Sequence, residues 1–141
     1  MADNPQSPSL RARPLSPFLT IYKWPVTMAT SITHRATGIA ISAGMVLVAW
    51  GLLALASGPE LYQPFIAAVG SWEGLVILVG FGWSLVYHLL NGIRHLAWDL
   101  GYGYEVQTAN RSGVVVIGLS VLVTVGVFAY VWWALHAGLR P

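Results

Sequence analysis

The sequence predicts an all-α membrane protein: a bundle of three transmembrane helices with a cytoplasmic N-terminus. Three observations predict it. Of 141 residues, 56% are hydrophobic and only 9% charged, where a soluble domain carries about a quarter charged residues; the mean hydropathy is +0.66. The few charges are also segregated. No Asp, Glu, Lys or Arg interrupts the stretches between Arg35 and Glu60, Glu73 and Arg94, or Arg111 and Arg140. A hydrocarbon core of about 30 Å takes about 20 helical residues, so each stretch holds one span, and backbone groups in lipid must bond within the segment, which selects helices. Finally, Arg11, Arg13, Lys23, Arg35, Arg94 and Arg111 fall on one side of these spans and Arg140 alone on the other. Positive charge stays in the cytoplasm, which places the N-terminus there.

Taken in order, residues 1–25 contain five prolines and no apolar core of signal-peptide length, which predicts an extended cytoplasmic arm. Its Arg content is low for an organelle transit peptide. Residues 26–136 form the membrane domain, with spans at about 28–57, 72–97 and 112–136. The first helix starts just after Pro25. A short loop carrying Glu60 and Glu73 joins the first two spans. The third span, interrupted only by Gly113, Gly118, Ser120, Thr124 and Gly126, reads as scaffold that packs through small residues. Trp24, Trp72, Trp98, Trp132 and Trp133 sit near span ends, as interface anchors do. The basic pI of about 9.2 therefore reports topology and gives no sign of nucleic acid. There is no cysteine, which excludes iron–sulfur clusters held by this chain, covalent haem attachment and disulfides. Gly101-Tyr102-Gly103 has Val106 where a nucleotide-binding loop needs its third glycine, and no strand precedes it.

Two polar stripes face the cytoplasmic side. At helical spacing the first span gives Thr27, Ser31, His34 with Arg35, Gly38 and Ser42, and the second gives Ser84, His88, Gly92, His95 and Asp99. The first stripe reads either as a packing seam or as a polar pocket in which Ser31 and Arg35 offer a hydroxyl and a fixed cation. His88 is the costliest residue, since an ionisable side chain inside a span is expensive and points to a partner, a cofactor or a polar pathway. It lies six residues before Arg94, about 9 Å of helix. Its spacing leaves open an interhelical hydrogen bond or axial ligation of haem iron by neutral imidazole; zinc would need more ligands. Gly92, one turn on, would clear space for a flat macrocycle or for a neighbouring helix. Arg94 and His95 would then stand at the membrane edge, placed for carboxylates such as haem propionates. His136, beside Trp132 and Trp133, reads as structural.

Two segments resemble a known family, the large cytochrome b membrane-anchor subunit (b556 type) of succinate dehydrogenase. One runs from Arg13-Pro14-Leu15-Ser16-Pro17 through Ile21-Tyr22 to Ser31-Ile32-Thr33-His34-Arg35-Ala36-Thr37-Gly38. The other is His88-Leu89-Leu90-Asn91-Gly92-Ile93-Arg94-His95-Leu96-Ala97-Trp98-Asp99-Leu100-Gly101. The resemblance extends in outline from Arg11 to Trp133, and departs at Phe18, where many members have His.

It implies that His88 is the axial ligand of haem b, that Ser31 and Arg35 line a ubiquinone site, and that His34 and Arg35 contact haem propionates, which His95 is placed to join by its position at the membrane edge. It further implies a smaller membrane-anchor subunit that completes the bundle and supplies the second axial histidine, together with an iron–sulfur subunit and a flavoprotein subunit. The resulting expectation is the membrane anchor of a succinate:ubiquinone oxidoreductase, with no dicarboxylate active site on this chain, in a bacterial inner membrane rather than a mitochondrial one. The alternatives are the anchor of a fumarate reductase, which is the same architecture run in reverse, and a cofactor-free assembly anchor. A small transporter is disfavoured, because no inverted repeat or broken helix is visible.

Overall fold

A computed structural model describes residues 23–138. Among them the chain forms four helices and no strand: α1 (Val26–Ser57), α2 (Pro59–Val69), α3 (Trp72–Asp99) and α4 (Val106–Ala137). α1, α3 and α4 are each long and apolar enough to cross a membrane, and the chain is the all-α membrane bundle its composition predicts. The expected N-terminal arm lies, up to residue 22, outside the described residues.

α1 begins directly after Pro25, whose extended backbone (φ −69°, ψ 152°) cannot continue a helix but accepts the first bonds of one, from the Met28 and Ala29 amides. At its other end Gly58 turns the chain with φ +100°, a conformation open to glycine and strained for residues with a Cβ. α2 replaces the plain loop expected between the first two spans. Pro59 at its first position and Glu60 in its first turn favour a helix start. Phe65 then packs beneath α1, its ring edge-on to Trp50 at 5.0 Å and against Gly51, where a Cβ would come within 2.6 Å of the ring. Ser71 caps α3 by accepting from the Gly74 amide at 3.1 Å. A side chain at Gly74 would collide with the backbone of α2, so α2 and α3 meet at a tight corner. The α3–α4 connection is closed by the Trp98 indole donating to the Gly103 carbonyl (3.1 Å) and the Tyr104 hydroxyl donating to the Trp98 carbonyl (2.6 Å).

The three long helices pack against one another pairwise. Their buried positions are small or polar: Thr30, Thr37, Gly44 and Ala54 on α1, Ser84, Tyr87, Asn91 and Arg94 on α3, and Ala109, Gly113, Val116, Ser120 and Thr124 on α4. Large apolar side chains such as Leu52, Leu53, Leu89 and Leu122 point outward. In lipid no hydrophobic force drives helices together, so close approach through small residues and interhelical hydrogen bonds does. On α1 the seam follows Thr30, Thr37, Gly44 and Gly51, seven residues apart, which keeps one narrow face toward its neighbours. At Gly44 a Cβ would overlap the Phe81 ring of α3. At Gly113 it would lie 3.0 Å from Val26.

Candidate functional site

α1 and α3 run antiparallel, and their polar stripes meet at the N-terminal end of α1. There three imidazoles gather. The rings of His34 and His88 stack with centroids 3.8 Å apart and planes 13° from parallel. His95 lies against the other side of the cluster, its centroid 5.2 Å from that of His34, and its ring meets Trp98 edge-on at 5.0 Å. All three histidines are half-buried. Among the described residues no group of three or more His, Cys, Asp and Glu side chains is disposed to hold a metal ion by itself. Stacked rings send their nitrogens out side by side instead of converging them.

The protonation pattern of His88 follows from its neighbours. Its Nδ1 lies 3.1 Å from the His34 carbonyl and 3.3 Å from Thr37 Oγ1. A carbonyl can only accept, and the single Thr37 hydroxyl proton is already donated to the same carbonyl at 2.9 Å. Nδ1 therefore carries the proton and donates to both oxygens. In the neutral ring Nε2 is left with a free lone pair. The approach is close because residue 38 is glycine: a Cβ there would stand 3.1 Å from His88 Cε1. The His34 Nδ1 is itself buried without a hydrogen-bond partner among the described residues.

Arg94 departs from its expected place at the membrane edge facing carboxylates. It is buried, and four of its five N–H groups donate inside the chain. Nε donates to Ser112 Oγ at 2.9 Å, Nη1 to Thr30 Oγ1 and Asn91 Oδ1 at 3.1 Å each, and Nη2 to the Ala109 carbonyl at 2.8 Å. Its Cζ also lies 4.1 Å from the Trp98 ring centroid. Beside it the Tyr87 hydroxyl donates to the Thr30 carbonyl at 3.0 Å. One cation thus joins α1, α3 and α4. The reason is the phase of α3: Tyr87, Asn91 and Arg94 share the buried face, while His88 and His95 lie to one side of it.

Ser31 and Arg35 occupy the same end of α1 as His34, Ser31 half-buried and Arg35 exposed. Neither side chain has a hydrogen-bond partner among the described residues, so hydroxyl and guanidinium both remain available. Gly92 has open space where a Cβ would be, so its smallness serves no contact among the described residues. His136 stacks on Trp132 at 4.1 Å and bonds that residue's carbonyl at 2.8 Å, a local helix-end contact. On α4, Ser120 accepts from the Trp83 indole at 3.1 Å, whereas a Cβ at Gly118 or Gly126 would meet nothing within 4 Å among the described residues. Thr37 and Thr30, three residues after and four before His34, share its helical face, but the stripe drawn through Ser31 and Arg35 passes them by. The seven-residue recurrence of small side chains along α1 is the signal that would have found them.

The chain matches a family model described as succinate dehydrogenase/fumarate reductase transmembrane subunit over residues 9–137. It is 45% identical over 113 residues to the succinate dehydrogenase cytochrome b556 subunit of Paracoccus denitrificans, covering 80% of this chain and 87% of that protein. Against the mitochondrial succinate dehydrogenase cytochrome b560 subunit of Sus scrofa the identity is 45% over 119 residues, covering 83% of this chain and 70% of that protein. Against the cytochrome b556 subunit of Rickettsia prowazekii it is 38% over 112 residues, covering 79% and 87%.

Proposed function

Because the chain belongs to the succinate dehydrogenase/fumarate reductase transmembrane subunit family, we propose that it is the large membrane anchor of a succinate:ubiquinone oxidoreductase. In this reading it binds haem b between itself and a smaller anchor subunit and forms part of the ubiquinone-reduction site. A flavoprotein subunit and an iron–sulfur subunit oxidise succinate and deliver electrons to its cytoplasmic end. The charge asymmetry of the sequence supports a cytoplasmic N-terminus, and the bacterial relatives support a bacterial inner membrane.

The observation that carries the reading is the bonding of His88. A histidine that ligates a metal usually donates its other ring N–H to a carbonyl or carboxylate, which fixes the tautomer and raises the basicity of the ligating nitrogen. His88 Nδ1 donates to the His34 carbonyl at 3.1 Å, and Nε2 is left as the donor atom an axial haem ligand requires. The residues present fit the group. Haem b, when bound, supplies a one-electron redox centre at this depth. His34 and His95 stand beside His88 and Arg35 one residue from His34, so these three are the side chains proposed to meet the haem propionates. Arg94 is withdrawn from that role, because it is buried and four of its five N–H groups donate to Thr30, Asn91, Ala109 and Ser112.

Quinone reduction takes two electrons and two protons. This chain contributes position and charge. The Ser31 hydroxyl donates to a quinone carbonyl oxygen, and the Arg35 guanidinium stabilises the negative charge that develops there. Both groups lie at the end of α1 open to cytoplasmic protons in the proposed topology.

The test is His88→Ala in the assembled complex. We expect the sharp reduced α-band of haem b and the haem content to be lost while the complex still forms. An unchanged spectrum would falsify the assignment, and a wild-type complex without any haem band would return the chain to a cofactor-free anchor.

A further inference from the structure

We propose that Thr37 and Gly38 are positioning residues that set the rotation of the His88 imidazole about its bond to the haem iron. This rests on the haem reading above. Three contacts fix the ring plane. The His34 ring covers one face at 3.8 Å, nearly parallel. The Nδ1 corner is held by two acceptors on one turn of α1, the His34 carbonyl at 3.1 Å and Thr37 Oγ1 at 3.3 Å. The adjacent Cε1 edge lies over Gly38, where an added Cβ would stand at 3.1 Å, tighter than an ordinary carbon–carbon contact.

Thr37 is buried, with 3% of its surface exposed, and its hydroxyl proton goes to the His34 carbonyl at 2.9 Å. Its oxygen is thereby turned to accept from His88. An imidazole free at Nδ1 could swing about the Cβ–Cγ bond. One that is held at a corner, an edge and a face cannot. The work of Thr37 is thus angular, and that of Gly38 is to leave room for the ring.

The orientation of an axial imidazole plane sets the splitting of the iron d orbitals, and hence the g anisotropy of the ferric low-spin signal. The hydrogen bonds at Nδ1 set the electron density that the ring donates, and hence the reduction potential. Both can be read without turnover. In the assembled complex, Thr37→Val keeps the shape and removes the acceptor. Its largest g value should shift and its haem potential should rise, because Nδ1–H loses one of two acceptors and the ring becomes a poorer donor. Thr37→Ser, which restores the hydroxyl, should return both toward wild type. Gly38→Ala should displace the ring and move the g value further, with the near-infrared band of bis-histidine ligation retained.

Wild-type g values and potential in haem-loaded Thr37→Val and Gly38→Ala would overturn the inference. Where Gly38→Ala fails to assemble, the Thr37→Val and Thr37→Ser pair decides alone. Failure of the haem reading has a different signature: the wild-type complex gives no low-spin haem signal, or His88→Ala leaves it intact, and either result sinks both proposals.

Discussion

Arg94 is a cation enclosed by neutral dipoles. Two hydroxyls, a side-chain amide and a backbone carbonyl receive its protons. Among partially enclosed charges the loss of a partner costs more than the pairing yields, because the remaining polar groups are left desolvated. Arg94→Met should therefore destabilise the subunit by about 3 kcal/mol or more, seen as a lower midpoint of thermal dissociation of the complex in detergent. Arg94→Lys keeps charge but cannot span Ser112, Thr30 and Ala109 at once, and should fall between. Ser31 is the opposite case, a hydroxyl with no hydrogen-bond partner among the described residues. Ser31→Ala should leave haem and succinate oxidation with an artificial acceptor intact, while ubiquinone reduction weakens by roughly 2- to 12-fold, the worth of one neutral hydrogen bond of about 0.5–1.5 kcal/mol. Ubiquinone kinetics unchanged in that variant would return the Ser31 face to lipid or to helix packing. At this scale the sequence was a partial guide. Arg35 and Arg94 look alike as cations at span ends, and only the rotational phase of each helix leaves one exposed and encloses the other.

Between elements, phase is decided by small residues. Gly44 admits the Phe81 ring so closely that a Cβ would overlap it, and the same seam carries Thr37 and Thr30 seven and fourteen residues earlier. We expect Gly44→Ala to cost about 1–3 kcal/mol through overpacking and to disturb His88 at a distance, by changing the register of α1 on α3. The double variant Gly44→Ala with Phe81→Leu should recover much of the loss; equal destabilisation of single and double variants would place the cost elsewhere. The existence of the three long helices was legible, because charge gaps of span length leave no other arrangement in lipid. The gathering of His34, His88 and His95 was half legible: counting residues from the span ends put all three toward the cytoplasmic side but left His34 and His95 nearer the interface than His88. The stacking of His34 on His88 corrects that, because it depends on the seam, which apolar periodicity does not report. α2 was not legible. Its eleven residues are too few for a periodic pattern, and its helix rests on packing of Phe65 against Trp50 and Gly51.

For the whole molecule, the geometry of the histidines bears on whether this chain alone can hold a haem. Two axial ligands must approach iron from opposite faces of the macrocycle. His34 and His88 stand side by side with nearly parallel rings 3.8 Å apart, which no six-coordinate centre can use. His136 sits at the far end of α4. Expressed without its partners, the subunit should therefore show no bis-histidine low-spin spectrum, and a stable one would mean that the bundle rearranges. The enclosure of Arg94 also bears on biogenesis. Thr30 and Asn91 have left the ribosome by the time Arg94 does, but Ala109 and Ser112 have not. Until α4 emerges, the guanidinium lacks two of its acceptors and must borrow water or headgroups at the bilayer surface, so α3 by itself is a half-seated helix. Docking of α4 strips that hydration and replaces it with the Ala109 carbonyl and the Ser112 hydroxyl. Completion of the third span is thus what lets the second settle, and a nascent chain truncated before Ala109 should be held at the insertion machinery and presented to quality-control proteases, whereas one extended through α4 escapes them.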